Sequence, residues 1–107
     1  MIDEEALRKK VISLLENIYD PEIPVNIYLL GLIYKIEFLK NTEKTICYIE
    51  MTLTSAACPV AESLIDQVNN IVYFIEEIDE MIVEIVFDPP WTPDKMSYEA
   101  KLELGLL

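Results

Sequence analysis

Cys47 and Cys58 are the two thiols in this chain, and Asp20, Glu22, Thr52 and Thr54 are the polar residues whose setting could put them to work at a site. Cys58 follows Met51-Thr52-Leu53-Thr54-Ser55-Ala56-Ala57 and precedes Pro59-Val60. An alternating run ends in that stretch and a helical pattern starts just after it. Proline suits the first helical position, so Cys58 is the expected N-cap. Free N–H groups and the helix dipole stabilise a thiolate there. Small Ser55, Ala56 and Ala57 would leave the thiol accessible. The acidity of the chain opposes a further negative charge, and an inert packing cysteine is the competing reading.

Cys47 differs. It falls on the apolar side of an alternating run and reads as a small buried hydrophobe. Asp20-Pro21-Glu22-Ile23-Pro24 is a stiff loop, since each proline fixes its own backbone and biases its predecessor to extended geometry. Its acids are either solvated residues at a helix stop or a pair of fixed carboxylates near a site. Thr52 and Thr54 read more simply as strand hydrogen-bonding residues than as catalytic hydroxyls.

The sequence contains no histidine. Ser–His and Cys–His catalysis within one chain is therefore excluded, and no internal base is at hand to activate Cys58. A zinc site of the usual Cys/His kind cannot be completed by one chain. No spacing resembles a calcium-binding loop. An ordinary enzyme is accordingly not expected.

Twenty acidic residues against eight basic ones give a net charge of -12. Such a field repels phosphate backbones, so nucleic acid is not an expected partner. The acid serves solubility or docking on a basic partner. No apolar run approaches the roughly 18 residues of a membrane span. The start, Met1-Ile2-Asp3-Glu4-Glu5, is acidic where a targeting peptide is basic. These features predict a soluble cytoplasmic protein with reduced thiols and no membrane partner.

The positioning elements follow from periodicity. Asp3 is the expected N-cap of a helix over residues 3–18, with Leu7, Val11, Leu14, Leu15 and Ile18 as its apolar stripe. Gly31 marks a special backbone angle or close packing. A strand follows over 32–39, with Tyr34, Ile36 and Phe38 on one face and Ile33, Lys35, Glu37 and Leu39 on the other. After a polar turn at 40–44, a second strand over 45–54 puts Cys47, Ile49, Met51 and Leu53 on its apolar face. The two form an antiparallel hairpin. A helix is expected over 59–77 from the spacing of Ala61, Leu64, Ile65, Val68, Val72 and Ile75. A third strand over 81–87 carries apolar residues on both sides and reads as central. Asp88-Pro89-Pro90-Trp91-Thr92-Pro93 is a stiff arm whose tryptophan either covers the core or anchors a partner, making Pro89, Pro90 and Trp91 partner-binding candidates. Asp94 or Ser97 caps a short last helix ending near Gly105.

The fold class is thus α/β in the broad sense (α+β). One domain over 1–107 forms a two-layer sandwich, in which helices cover one face of a small mixed three-stranded sheet in the order α-β-β-α-β-α.

The stretches Asp20-Pro21-Glu22-Ile23-Pro24-Val25-Asn26-Ile27, Gly31-Leu32-Ile33-Tyr34, Met51-Thr52-Leu53-Thr54-Ser55 with Cys58-Pro59, and Phe87-Asp88-Pro89-Pro90-Trp91 resemble the family called domain of unknown function 59. That family includes SufT-like iron–sulfur assembly proteins, PaaD-like accessory proteins and cytosolic iron–sulfur targeting proteins. The resemblance runs over nearly the whole chain and implies a role in maturing iron–sulfur proteins rather than turnover catalysis. The resemblance implies that Cys58 is the working thiol and a metal ligand, with Asp20, Glu22, Asn26, Thr52 and Thr54 gathered near it. Two positions depart from the family pattern. Leu29 replaces the usual Asp before the Gly31-Leu32-Ile33-Tyr34 segment, and Ala56-Ala57 replaces a common Pro-Gly.

A cluster needs about four ligands, mostly thiolates. With one candidate per chain, either two chains each supply Cys58 in a homodimer and small thiols complete the shell, or Cys58 helps a partner hold a transient iron–sulfur cluster. The alternative is a metal-free acidic adaptor. The expected partners in either case are the iron–sulfur assembly machinery or its client proteins.

Overall fold

A computed structural model describes residues 3–20, 23–54 and 61–105. Helix α1 spans Glu4–Leu15, and strands β1 and β2 span Ile33–Lys40 and Thr45–Met51. Helix α2 spans Ala61–Asn69 and runs into a 3-10 turn at Asn70–Phe74. Strand β3 spans Glu80–Ile85, a second 3-10 turn covers Pro93–Lys95, and helix α3 spans Tyr98–Glu103. The mixed three-stranded sheet with helices against it bears out the predicted fold class.

Helix α1 starts where Asp3 accepts a hydrogen bond from the Glu5 amide through Oδ1 at 3.0 Å, with Glu4 and Glu5 in the first turn. It ends three residues before the predicted stop. The amides of Asn17 and Ile18 reach back only three residues, to the carbonyls of Leu14 and Leu15. The chain thereby tightens into a 3-10 exit before the Asp20 loop. Leu7, Val11 and Leu15 are buried, and Leu14 packs partly against them.

Strands β1 and β2 are antiparallel, closed by a turn in which Asn41 Oδ1 accepts from the amides of Glu43 and Lys44, both at 2.8 Å. Thr45, Cys47, Ile49 and Met51 form the buried row of β2. Ile36 faces Ile49 and Phe38 faces Cys47 on the same side. A bulge between Ile33 and Lys35 shifts the register, since Ile33 pairs with Met51 while Lys35 pairs with Glu50. The extra residue resets the alternation. Ile33 therefore packs against the core, and Tyr34 leaves the row that period two assigned to it.

The sheet order is β1-β2-β3, with β3 parallel to β2. This corrects the expectation of a central third strand: β2 is central and β3 lies at an edge. Met81, Val83 and Ile85 turn toward the core, whereas Glu80, Ile82 and Glu84 are exposed on the other face. The apolar Ile82 suggested burial on both sides, but its side chain is exposed.

Helix α2 is also shorter than predicted. Asn69 and Asn70 are weak helix formers, and Ile71 and Val72 are β-branched, so the coil narrows into the 3-10 turn. Leu64, Val68, Ile71 and Ile75 still reach the core along one face. At the C-terminal end, Ser97 rather than Asp94 caps α3, its Oγ accepting from the Ala100 amide at 3.0 Å. Gly105 closes it in a left-handed conformation (φ 72°). No helix among the described residues is long and apolar enough to cross a membrane.

Candidate functional site

Three segments meet at the end of β2 from which the chain continues to α2. They are the loop 23–32, the exit of β2 at Thr52–Thr54, and the arm 86–97. The Thr52 amide donates to the Leu32 carbonyl at 2.8 Å, and the Val86 amide donates to the Met51 carbonyl at 2.8 Å. Residues 55–60 join this exit to α2 and carry Cys58; they lie outside the described residues, as does Glu22.

The loop is built on two side-chain caps. Asp20 is buried, and its Oδ1 accepts from the Ile23 amide at 3.0 Å. Asn26 is buried, and its Oδ1 accepts from the Leu29 amide at 2.9 Å. Asn26 also bridges to Tyr19 across the loop. Both residues thus shape the turn through short local bonds, which is the ordinary use of Asp and Asn in tight loops. Leu29, where the family pattern has an acid, packs against the core, and its carbonyl accepts from the Ser97 amide at 2.8 Å.

The arm is strapped onto this loop. Trp91 Nε1 donates to the Leu30 carbonyl at 2.7 Å, and the ring packs partly on the core. Pro89 and Pro90 are exposed, and the Asp88–Pro89 peptide is cis.

Thr52 is fully buried, and its Oγ1 meets no hydrogen-bond partner of good geometry among the described residues. Thr54 is half-buried. The Thr52 hydroxyl lies close enough to the Tyr34 phenol to oppose, in part, the upward shift that burial imposes on that group. Tyr34 donates its hydroxyl proton to the Pro89 carbonyl at 2.8 Å. The Lys95 ammonium sits 5.2 Å from the centre of the Tyr34 ring. Gly31, Ile33, Tyr34, Glu50, Pro89 and Lys95 line an open cleft of about 510 Å³. The sequence did not single out Tyr34 or Lys95 as site residues. Tyr34 stood in a quoted motif but was assigned to the core row, and nothing local marked Lys95.

Cys47 is sealed in the core, as its place in the strand predicts. Burial pushes its thiol up to about 12, with Arg8 opposing the shift. At neutral pH it is an unreactive thiol. On the uncovered face of the sheet, the Tyr48 hydroxyl donates to Glu84 Oε2 at 2.5 Å and lies 3.1 Å from Glu50 Oε2. The Glu84 hydrogen bond, then burial and the Glu50 hydrogen bond, hold that phenol well above its usual range. No three acidic or thiol side chains among the described residues come together as a metal-holding set.

The model of a family described as "Iron-sulfur cluster assembly protein" matches residues 8–85. The chain is 42% identical over 103 residues to the Fe-S protein maturation auxiliary factor YitW of Bacillus subtilis, covering 96% of this chain and 98% of that protein. It is 43% identical over 89 residues to the Fe-S protein maturation auxiliary factor SufT of Staphylococcus aureus, covering 83% of this chain and 98% of that protein. The crystal structure of a domain-of-unknown-function-59 protein from Bacillus anthracis superposes with a TM-score of 0.82 at 36% identity, covering 96% of this chain and 95% of that one. The fold and the sequence thus agree along almost the entire length, and the chain belongs to the iron–sulfur cluster assembly protein family.

Proposed function

We propose that this protein is an iron–sulfur cluster assembly or transfer factor that matures client proteins in the cytoplasm, with Cys58 as its working thiol. The observation that carries the reading is the end-to-end likeness to a maturation auxiliary factor, at 42% identity over 96% of the chain. The place of Cys58 supports it. The cysteine stands three residues ahead of the first residue given for α2, beyond the exit of β2, while the other thiol is sealed in the core. A thiolate near the start of a helix is favoured by unpaired N–H groups and the helix dipole.

The cluster is cargo in this account. One chain contributes one thiolate, so the remaining ligands come from a second chain, a small thiol or the client. Cys58 holds the cluster weakly enough to release it, and the protein acts without turning over a substrate of its own. Anaerobic reconstitution with iron and sulfide tests this. The parent and Cys47→Ala develop the visible absorbance of a cluster, and Cys58→Ser does not. Equal absorbance from all three overturns the assignment of the thiol.

A second reading, a metal-free adaptor, is favoured by the acidic open face around Tyr48, Glu50 and Glu84. The arm contributes less to it, because Trp91 is spent on the Leu30 carbonyl. Cys58→Ser leaves an adaptor fully active.

A further inference from the structure

The outer face of the sheet carries one arrangement that the fold does not require. Glu50 on β2 and Glu84 on β3 are direct partners in register. Like charges directly opposite each other on neighbouring strands destabilise a sheet. Both carboxylates converge on the Tyr48 hydroxyl, with Glu84 Oε2 at 2.5 Å and Glu50 Oε2 at 3.1 Å. A phenol holds one proton and donates it to one acceptor, so the second carboxylate is left against an oxygen rather than a cation.

The lysines nearest this pair are spent on other acids. Lys35 stands opposite Glu50 in register, yet its ammonium lies 2.7 Å from Glu37 Oε1. Lys44 turns to Glu80 at 3.6 Å. Glu50 and Glu84 themselves make no ion pair among the described residues. Guarding an edge strand against unwanted pairing calls for charges of either sign, and it does not call for two acids face to face. Next to them, Ile82 is the register partner of Tyr48 and is exposed. An apolar spot thus adjoins the uncompensated acids.

We infer that this face docks a basic segment of a partner protein, with an arginine guanidinium placed between Glu50 and Glu84 and an aliphatic side chain on Ile82. A guanidinium presents N–H donors on more than one edge of a planar fork, so one group serves both carboxylates. Ile82 and Glu84 are two residues apart on one strand, about 6.6 Å along the face. An extended partner in which arginine and aliphatic residues alternate reproduces that step. Net charge decides among the occupants. A second copy of this chain, at -12, is repelled, and so are an acidic protein and a phosphate backbone. Two carboxylates and a phenol are too few oxygens for a calcium ion, which takes about six to eight. The inference gives the adaptor reading its partner chemistry without resting on it, since a cluster carrier also docks on its clients and Cys58 takes no part here.

Fluorescence anisotropy of a short labelled peptide in which arginine alternates with leucine, titrated with the full chain at physiological salt under reducing conditions, tests it. The parent binds, and the same peptide with glutamate in place of arginine does not. Glu50→Gln/Glu84→Gln weakens binding by about tenfold, because the charges that meet the guanidinium are gone. Glutamine still offers an oxygen to Tyr48, so the variant keeps its fold, and circular dichroism checks this. Glu16→Gln/Glu103→Gln removes the same charge from two exposed positions at the ends of α1 and α3. It changes binding by no more than about twofold, since distant surface charges are screened. Nuclear magnetic resonance shifts on adding the peptide to the parent centre on Tyr48, Ile82 and Glu84. No binding by the parent, equal weakening by the two variants, a Glu50→Gln/Glu84→Gln that binds as the parent does, or shifts centred elsewhere each overturns the inference.

Discussion

Gly31 lies under the Lys95 carbonyl so closely that a Cβ on residue 31 would stand 2.2 Å from that oxygen. The glycine is also left-handed, with φ at 81°. Both uses of glycine anticipated from its position, a special angle and a close approach, are therefore made at once. The contact strapping the arm 91–97 to the loop 23–32 depends on it, alongside the Trp91–Leu30 and Ser97–Leu29 hydrogen bonds.

Gly31→Ala consequently destabilises the protein by about 2–4 kcal/mol, since a strained backbone angle and a collision with main chain add. Urea unfolding measures it. The cleft lined by Tyr34 and Lys95 opens with the arm, so Trp91 fluorescence shifts to the red in the native baseline. A loss below about 0.5 kcal/mol contradicts the close packing.

Thr52→Val raises stability. The Thr52 hydroxyl is fully buried and meets no hydrogen-bond partner of good geometry among the described residues, so exchanging it for a methyl removes a desolvated polar atom at nearly constant volume. The expected gain is about 0.5–1 kcal/mol by chemical denaturation. A loss of similar size means the hydroxyl is bonded in solution.

The pH dependence of stability identifies Cys47. Its thiol, ordinarily near 9.0, is pushed up to about 12 by burial. The unfolded chain ionises first as pH rises, so the contribution of this thiol is complete below about 9 and is lost between there and about 12. Cys47→Ala is less stable than the parent by about 1–2 kcal/mol at neutral pH because of the void it leaves. That difference shrinks as pH climbs past 9, with reductant present and Cys58 unchanged in both proteins. A constant difference contradicts the burial of an un-ionised thiol.

The parts of the fold legible in the sequence were those set by local period. The α1 stripe at Leu7, Val11 and Leu15, the hairpin, and the row Cys47, Ile49 and Met51 follow from side-chain direction alone. The unread parts depended on partners distant in the chain. Ile82 could not reveal whether a second helix layer covers it, so β3 was taken for a central strand. The bulge at Tyr34 shifts one residue against β2, which no pattern within β1 discloses. In the site, Asp20 and Asn26 were found by type, and their local bonds explain that type. Thr52 was named as a polar neighbour, but the burial of its hydroxyl is a fact of packing. Lys95 reaches Tyr34 only because the arm folds back.

The role of Cys58 is decided most directly in a strain lacking the chromosomal copy of this protein, by assaying endogenous iron–sulfur enzymes after complementation. The parent and Cys47→Ala restore those activities, whereas Cys58→Ser at equal protein abundance leaves them depressed. Full restoration by Cys58→Ser contradicts a thiol-based delivery role and leaves the metal-free adaptor in its place.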